Sequence, residues 1–301
     1  MLDGRNLSDK DWEETMKSKE EIIIETVNLK KGKLPADFVG KSKFSKKYLG
    51  ELIRKDGTNY SWTERHKYYS KAERPHPAKT PLHVARWAIQ AFSKEGDWVL
   101  DPTMGVGTTA VESLRQKRNV AGMELEYIKA IDSNIEINNP FKMKIKIVAG
   151  DARTISRHIS KLDFSLVVNN PPYSGDQRQY KFAKKIDGKW EDTGIYYLND
   201  KNLGILKENK EYWDSLRSIY SQCISRMKTG GHLVIGVKDM MRNKKPFVLH
   251  EMIGDLLLSL GLKFEGMALL RHHPATLNMR SYRNRFKIEI PLYQVILVFK
   301  K

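Results

Sequence analysis

The sequence has almost no cysteine and no long apolar segment. Cys223 is the one cysteine among 301 residues, which excludes an intramolecular disulfide and a cysteine-rich metal site. It lies in a helical pattern, so we expect a small core residue. No apolar run approaches the roughly 18–20 residues of a membrane span. Residues 1–5 lack the apolar stretch of a signal peptide. We therefore expect a cytoplasmic protein.

Acidic residues are scarce relative to basic ones. The chain has 36 Asp and Glu against 53 Lys and Arg, a formal net charge of +17. This excess favours a polyanionic partner. The segment from Lys30 to Arg74 has thirteen Lys/Arg and five Asp/Glu, interleaved with Tyr60, Trp62, Tyr68 and Tyr69. Residues 1–75 show no clear core, so they are interpreted as a basic extension that either contacts DNA or docks its aromatics on the main domain.

Helix and strand patterns alternate in the rest of the chain, which is typical of an α/β fold. An amphipathic helix is predicted over Leu82 to Phe92, followed by a short strand, Trp98 to Leu100. That strand runs into Asp-Pro-Thr-Met-Gly-Val-Gly-Thr-Thr (101–109), and a helix continues to Lys117. A strand, a glycine turn and a helix form the first half of a nucleotide-binding unit. The spacing also fits dinucleotide-binding enzymes.

Polar residues stand at the ends of four successive predicted strands: Asp101, Glu124, Asp151 and Asn170. In an open parallel sheet these ends meet at the carboxyl edge, where ligands bind. Glu124 follows the first glycine of the turn by about 20 residues, a spacing typical of an acid that bonds ribose hydroxyls. Asp151 is suited to accept a hydrogen bond from the exocyclic amine of an adenine.

The fourth strand end carries a proline-rich loop. The apolar run Phe164 to Val168 stops at Asn170-Pro171-Pro172-Tyr173. Proline has no N–H donor, so the loop presents carbonyls between an amide and an aromatic ring. The side-chain oxygen of Asn170 and the carbonyl of Pro171 can accept both hydrogens of an amino group while Tyr173 stacks on its ring. A strand-end loop without chemistry is the alternative.

The glycine turn followed by Asn-Pro-Pro-Tyr resembles the S-adenosylmethionine-dependent DNA amino-methyltransferases, which form N6-methyladenine or N4-methylcytosine. The resemblance implies a Rossmann-like α/β fold: a seven-stranded sheet with helices on both faces and an antiparallel last strand. It implies a catalytic domain over 76–301 with insertions at 174–210 and 271–290. It also implies S-adenosylmethionine as cofactor and double-stranded DNA as substrate, with the target base flipped out. A cognate restriction endonuclease without direct contact is a further implied partner; no membrane and no metal are expected.

The resemblance also implies roles for individual residues. The catalytic residues would be Asn170, Pro171, Pro172 and Tyr173. The cofactor would be held by His76, Pro77, Thr80, Asp101, Pro102, Thr103, Met104, Gly105, Gly107, Thr108, Thr109, Glu124 and Asp151. DNA contacts are predicted in an acid-free run, at Arg271, Arg280, Arg283, Arg285 and Lys287. Thr80 stands where many members have lysine, and no long target-recognition domain is present, so bases must be read by shorter insertions.

Other functions fit parts of the pattern. Within the family, Asn170 favours adenine N6, because cytosine N4 enzymes more often have serine there. An RNA guanine-N2 or a protein glutamine methyltransferase can carry a similar loop. A nicotinamide oxidoreductase fits the glycine turn and leaves the Asn-Pro-Pro-Tyr loop without a role. A non-catalytic DNA-binding module explains the charge alone.

Overall fold

A mixed β-sheet forms the centre of the fold. In the computed structural model the described residues are 26–53, 65, 68–70, 79–174, 181–186, 189–195, 199–206, 209–242, 245–271 and 291–301. The strands in chain order are β1 (Asn28–Lys30), β2 (Tyr48–Ile53), β3 (Trp98–Asp101), β4 (Asn119–Glu124), β5 (Ile145–Ala149), β6 (Phe164–Asn169), β7 (Lys181–Ile186), β8 (Lys189–Ile195), β9 (Met227–Lys238), β10 (Met240–Arg242), β11 (Lys245–Phe247), β12 (Lys263–Arg271) and β13 (Tyr293–Lys300).

Within the described residues, nine of these strands pair in the order β1-β2-β12-β13-β9-β6-β3-β4-β5. The run from β9 to β5 is parallel throughout, and β13 is antiparallel to both of its neighbours, β9 and β12. The seven strands from β12 to β5 confirm the predicted sheet and its antiparallel last strand. Sequence patterns did not predict that β1 and β2, from the presumed basic extension, continue the sheet beside β12.

Helices cover both faces of the sheet, as predicted. The helices are α1 (Leu82–Phe92), α2 (Thr108–Arg115), α3 (Ile128–Asn138), α4 (Ser156–Ile159), α5 (Lys210–Ser225) and α6 (Leu249–Ser259). On one face α1 buries Val84, Trp87 and Ile89 against the sheet. On the other face α5 and α6 bury an apolar stripe against the same strands. Strand β13 is buried on both faces, which explains its continuous apolar run from 295 to 299.

The predicted elements match the observed ones closely. Helix α1 has the predicted bounds, and α2 ends at Arg115, two residues before the predicted end at Lys117. Cys223 is fully buried in α5, which confirms a core residue. The polar segment 174–210, interpreted as a loop or lid, contains the hairpin of β7 and β8. Among the described residues, no helix is both long enough and apolar enough to cross a membrane.

Candidate active site

The strand ends Asp101, Glu124 and Asn169 lie side by side, because β6, β3 and β4 are adjacent and parallel. Asp151 follows β5, the next strand along, by two residues. The predicted meeting of polar strand ends at one carboxyl edge is therefore confirmed. This edge is where open α/β sheets bind their ligands.

The glycine turn after β3 is held from within by Asp101. The Thr103 N–H donates to Asp101 Oδ1 at 3.1 Å, and the Thr109 hydroxyl donates to Oδ2 at 2.6 Å. Gly107 begins α2 with φ of 83°, a left-handed conformation that favours glycine. Burial raises the pKa of Asp101 to about 6, and the hydrogen bonds of Thr109, Asn169 and Thr103 oppose that rise. Asp101 therefore holds the glycine turn in place through its hydrogen bonds with Thr103 and Thr109.

Asn169, which sequence reasoning passed over, connects this turn to the Asn-Pro-Pro-Tyr loop. Its amide nitrogen donates to Asp101 Oδ1 at 3.1 Å and to Thr103 Oγ1 at 2.7 Å. Its oxygen accepts from the Tyr220 hydroxyl at 2.8 Å. Tyr220 is fully buried in α5 and was predicted only as part of a helical pattern. The doubled amide Asn169-Asn170 was the available sequence signal.

Glu124 closes the turn from the end of β4. Its carboxylate accepts from the backbone N–H groups of Gly105 at 2.7 Å, Glu126 at 2.8 Å and Tyr127 at 3.2 Å. Burial raises the pKa of Glu124, and these backbone donors oppose the rise. Glu124 therefore ties the glycine turn to the segment that follows β4.

Asp151 is engaged more completely than the sequence suggested. Arg153 donates to both of its oxygens, with Nη2 at 2.7 Å from Oδ2 and the backbone N–H at 2.9 Å from Oδ1. Burial alone would raise the pKa of Asp151, and the Arg153 contacts lower it overall. Arg153 also lines an open groove of about 580 Å³ beside the first turns of α5. An incoming amine would have to share Asp151 with Arg153.

The Asn170-Pro171-Pro172-Tyr173 loop is held at Pro172 and at Tyr173 by two different elements. The buried Tyr212 hydroxyl of α5 donates to the Pro172 carbonyl at 3.0 Å. The Lys238 N–H at the end of β9 donates to the Tyr173 hydroxyl at 2.8 Å. Within the described part of the chain, Asn170 Oδ1 is buried without a hydrogen-bond partner. The loop thus contains a buried acceptor, Asn170 Oδ1, without a partner among the described residues, and hydrogen bonds from α5 and β9 hold Pro172 and Tyr173 in place.

The remaining predicted cofactor residues are partly engaged by the protein. Arg65 Nη2 donates to the Thr80 carbonyl at 2.7 Å and to the Thr108 hydroxyl at 3.0 Å. Pro102 and Met104 are buried beneath the turn, whereas Thr103 and Gly105 are partly exposed. His76 and Pro77 lie outside the described residues.

Arg271 has protein partners at the end of β12. Its guanidinium donates to Asp37 at 2.5 Å and to the Tyr293 hydroxyl at 2.7 Å. Tyr293 in turn donates to Asp37 at 2.8 Å, so Asp37 from the N-terminal segment is tied to the sheet edge. Contact of Arg271 with DNA stays a prediction. The other predicted DNA contacts, Arg280, Arg283, Arg285 and Lys287, lie outside the described residues.

A second cluster of polar side chains joins Ser42 of the N-terminal segment, through His250, to Asp239, which directly follows β9. His250 Nδ1 is 2.7 Å from Asp239 Oδ2, and its Nε2 is 2.9 Å from the Ser42 hydroxyl. His250 and Asp239 are both buried. No group of three His, Cys, Asp or Glu side chains that could hold a metal ion occurs among residues with described positions.

Comparison with known proteins points to one family. Residues 7–133 match the N6/N4 methyltransferase family, described as DNA methylase. The type II methyltransferase M.MthZI of Methanothermobacter thermautotrophicus is 31% identical over 153 residues, which are 46% of this chain and 40% of that protein. The type II methyltransferase M.BglI of Bacillus subtilis is 41% identical over 81 residues, which are 25% of this chain and 23% of that protein. TrmN from Thermus thermophilus superposes with a TM-score of 0.47 at 12% identity, covering 77% of this chain and 52% of that structure.

The sheet and its polar carboxyl edge define a Rossmann-like α/β protein. The match to the DNA methylase family over residues 7–133 and the type II methyltransferase relatives support the resemblance to the DNA amino-methyltransferases. The match to the family begins at residue 7 and so includes most of the predicted basic extension; it ends before Asn170. The chain spans less than half the length of these two curated relatives.

Proposed function

We propose that this protein transfers a methyl group from S-adenosylmethionine to the exocyclic amine of a base in DNA. The observation that carries the proposal is Asn170 Oδ1, which is buried without a hydrogen-bond partner among the described residues and directly follows β6, the strand beside β3 and its glycine turn. The match to DNA methylases supports the same chemistry. Adenine N6 is the favoured target because the residue before the two prolines is Asn; cytosine N4 is the alternative.

The residues of the edge fit the cofactor. Glu124 lies at the end of β4, where its carboxylate would accept from a ribose hydroxyl, and Gly107 allows a tight turn at the N-terminus of α2. Thr103 and Gly105, the partly exposed members of the turn, would face the methionine end. Asp151 would accept from the adenine amine beside Arg153. S-adenosylmethionine, when bound, supplies an electrophilic methyl group.

The Asn-Pro-Pro-Tyr loop would activate the amine by accepting its hydrogens. The lone pair of an aromatic amine is delocalised into the ring, which makes the nitrogen a poor nucleophile. Asn170 Oδ1 and the Pro171 carbonyl favour the pyramidal amine and stabilise the positive charge that develops on nitrogen. The cofactor would supply the methyl carbon that the amine lone pair attacks, with the sulfur as leaving group, and the excess proton of the methylated amine would leave to water. Because the Tyr212 and Lys238 contacts fix the loop in advance, little reorganisation is needed.

The target base must leave the duplex to reach this edge. Tyr173 would supply the stacking face, since its hydroxyl is held by Lys238 and its ring packs beside the core. The acid-free run from Arg271 to Lys287 and the basic segment from Lys30 to Arg74 would hold the phosphates. A cognate restriction endonuclease, without direct contact, remains the proposed biological companion.

The test is to incubate the protein with labelled S-adenosylmethionine and mixed-sequence DNA, then identify the methylated nucleoside. We expect N6-methyladenine. N4-methylcytosine would support the alternative base, and label transferred to RNA guanine would overturn the DNA assignment. Absence of cofactor binding together with sequence-independent DNA binding would favour a non-catalytic module.

Asn170→Ala separates chemistry from binding. Loss of a preorganised polar group at the reacting nitrogen should lower kcat by about 10²-fold or more. Affinity for S-adenosylmethionine should not change, because Asn170 would face the base. Glu124→Ala is the matched variant: it should weaken cofactor binding by roughly 1–3 kcal/mol. Near wild-type turnover by Asn170→Ala would show that the assigned site is wrong.

A further inference from the structure

The side-chain amides of Asn170, which follows β6, and of Gln294, on β13, both lie close to Gly236 of β9. A Cβ at Gly236 would overlap Asn170 Oδ1 and would lie 2.6 Å from Gln294 Nε2. Gln294 belongs to β13 and pairs in register with Lys238, next to the end of β9. The chain separates these residues widely, and the antiparallel insertion of β13 beside β9 brings them together.

Gln294 is an exception in its surroundings. It is 3% exposed and stands at the start of an otherwise apolar strand. Buried amides are normally retained where they have a hydrogen-bonding task, because an unpaired one destabilises the fold. Asn170 Oδ1, the neighbouring amide oxygen, is also buried and lacks a partner in the described part of the chain. The Asn170 oxygen therefore points to a ligand that brings a hydrogen-bond donor of its own, and the Gln294 amide lies beside that oxygen.

We propose that Gln294 donates a hydrogen bond to the ring nitrogen adjacent to the amine that Asn170 accepts. Adenine presents an amine at N6 beside an acceptor at N1, and cytosine presents an amine at N4 beside an acceptor at N3. An acceptor from Asn170 and a donor from Gln294 match both edges. This role rests on the proposed methyl transfer and makes Gln294 a specificity residue for it.

The geometry also explains why position 236 is glycine. A side chain there would occupy the space into which both amides project. Strands β6, β9 and β13 are held by backbone pairing, and Asn170 directly follows the last residue of β6, so the pairing limits how far the acceptor and the donor can move apart.

The test uses a DNA duplex whose target adenine is replaced by 1-deazaadenine, which keeps the amine and lacks the N1 acceptor. Wild-type protein and Gln294→Met are compared on both duplexes. Methionine keeps the length of the side chain and removes the donor. We expect kcat/KM of wild type to fall by about 10- to 100-fold on the deaza duplex through loss of this hydrogen bond and any change in amine reactivity. Gln294→Met should lose much less on the same change, because only the altered amine reactivity still acts.

A duplex with 7-deazaadenine is the control, since N7 lies on the Hoogsteen edge, on the other side of the amine from N1. The kcat/KM of wild type and of the variant should change by the same factor on it. If cytosine is the methylated base, 3-deazacytosine takes the place of 1-deazaadenine. Equal penalties in wild type and Gln294→Met would overturn the role of Gln294. An unchanged kcat/KM of wild type on the duplex that lacks the ring nitrogen would also overturn that role, and this measurement needs no variant. Failure of wild type to methylate any unmodified DNA would instead overturn the proposed function.

Gln294→Glu guards against a folding defect in the methionine variant. It keeps size and polarity, and its carboxylate cannot donate when ionised. Melting temperatures of both variants should be compared with wild type. A variant that folds and retains the full deaza penalty contradicts the inference; a folded variant that loses the penalty supports it.

Discussion

Gly236→Ala is the most direct perturbation of the arrangement at the carboxyl edge. The new methyl group would start 2.6 Å from Gln294 Nε2 and closer still to Asn170 Oδ1, whereas ordinary contact begins at 3.4 Å. Both amides must therefore move by about 1 Å, a misplacement that can cost about 10²-fold in rate. The backbone itself tolerates alanine, because Gly236 is not among the glycines with positive φ.

Two measurements separate this effect from general damage. We expect kcat for DNA methylation to fall by about 10²-fold, while calorimetry shows unchanged affinity for S-adenosylmethionine. Overpacking should cost about 1–3 kcal/mol of stability, which a thermal melt will report. Gly32→Ala is the matched control, since no atom lies within 4 Å of a Cβ at that position. A folded Gly236→Ala protein with wild-type kcat would refute the idea that Asn170 Oδ1 must remain in place above Gly236.

Three further outcomes follow from the structure. Burial raises the pKa of Asp101 from 3.8 to about 6, so the folded state binds this proton more tightly than the unfolded state. The stabilisation by the bound proton on Asp101 is complete below about pH 4 and is lost as the pH rises through 6. In denaturant titrations across that window, the unfolding free energy of wild type should therefore fall by about 3 kcal/mol relative to that of Asp101→Asn. Glu112→Gln should cost about 3–5 kcal/mol, because it removes the buried negative charge that lies 2.8 Å from the Arg86 guanidinium. Tyr212→Phe should cost about 1 kcal/mol, by freeing the Pro172 carbonyl.

Each of these three predictions has its own control or contradicting outcome. A parallel pH dependence of wild type and Asp101→Asn would contradict the raised pKa. For the buried ion pair, the control is Asp214→Asn in the exposed pair with Lys210, where about 0.5 kcal/mol or less is expected. For Tyr212→Phe, unchanged stability would mean that the Pro172 carbonyl gains nothing from its donor.

The sequence alone located α1 and the strands that precede Asp101, Glu124 and Asp151. Apolar periodicity located α1 because this helix buries a continuous stripe whose pattern is local in the chain. Polar residues at the ends of β3 and β4 were found from the same local patterns, whereas after β6 the sequence pointed to Asn170 and not to Asn169. Their meeting at one edge followed from parallel pairing, which the alternation of strands and helices already implied.

Tertiary structure decided which polar groups are free. Arg153 engages Asp151, and Tyr220 engages Asn169, through contacts between side chains that no local pattern records. The approach of Gln294 to Asn170 depends on the insertion of β13 next to β9, more than 100 residues after the motif it serves. Hydrophobic periodicity fixes the face that a residue occupies, and it carries no information about which distant side chain will lie opposite. That information arises only when the strands pair.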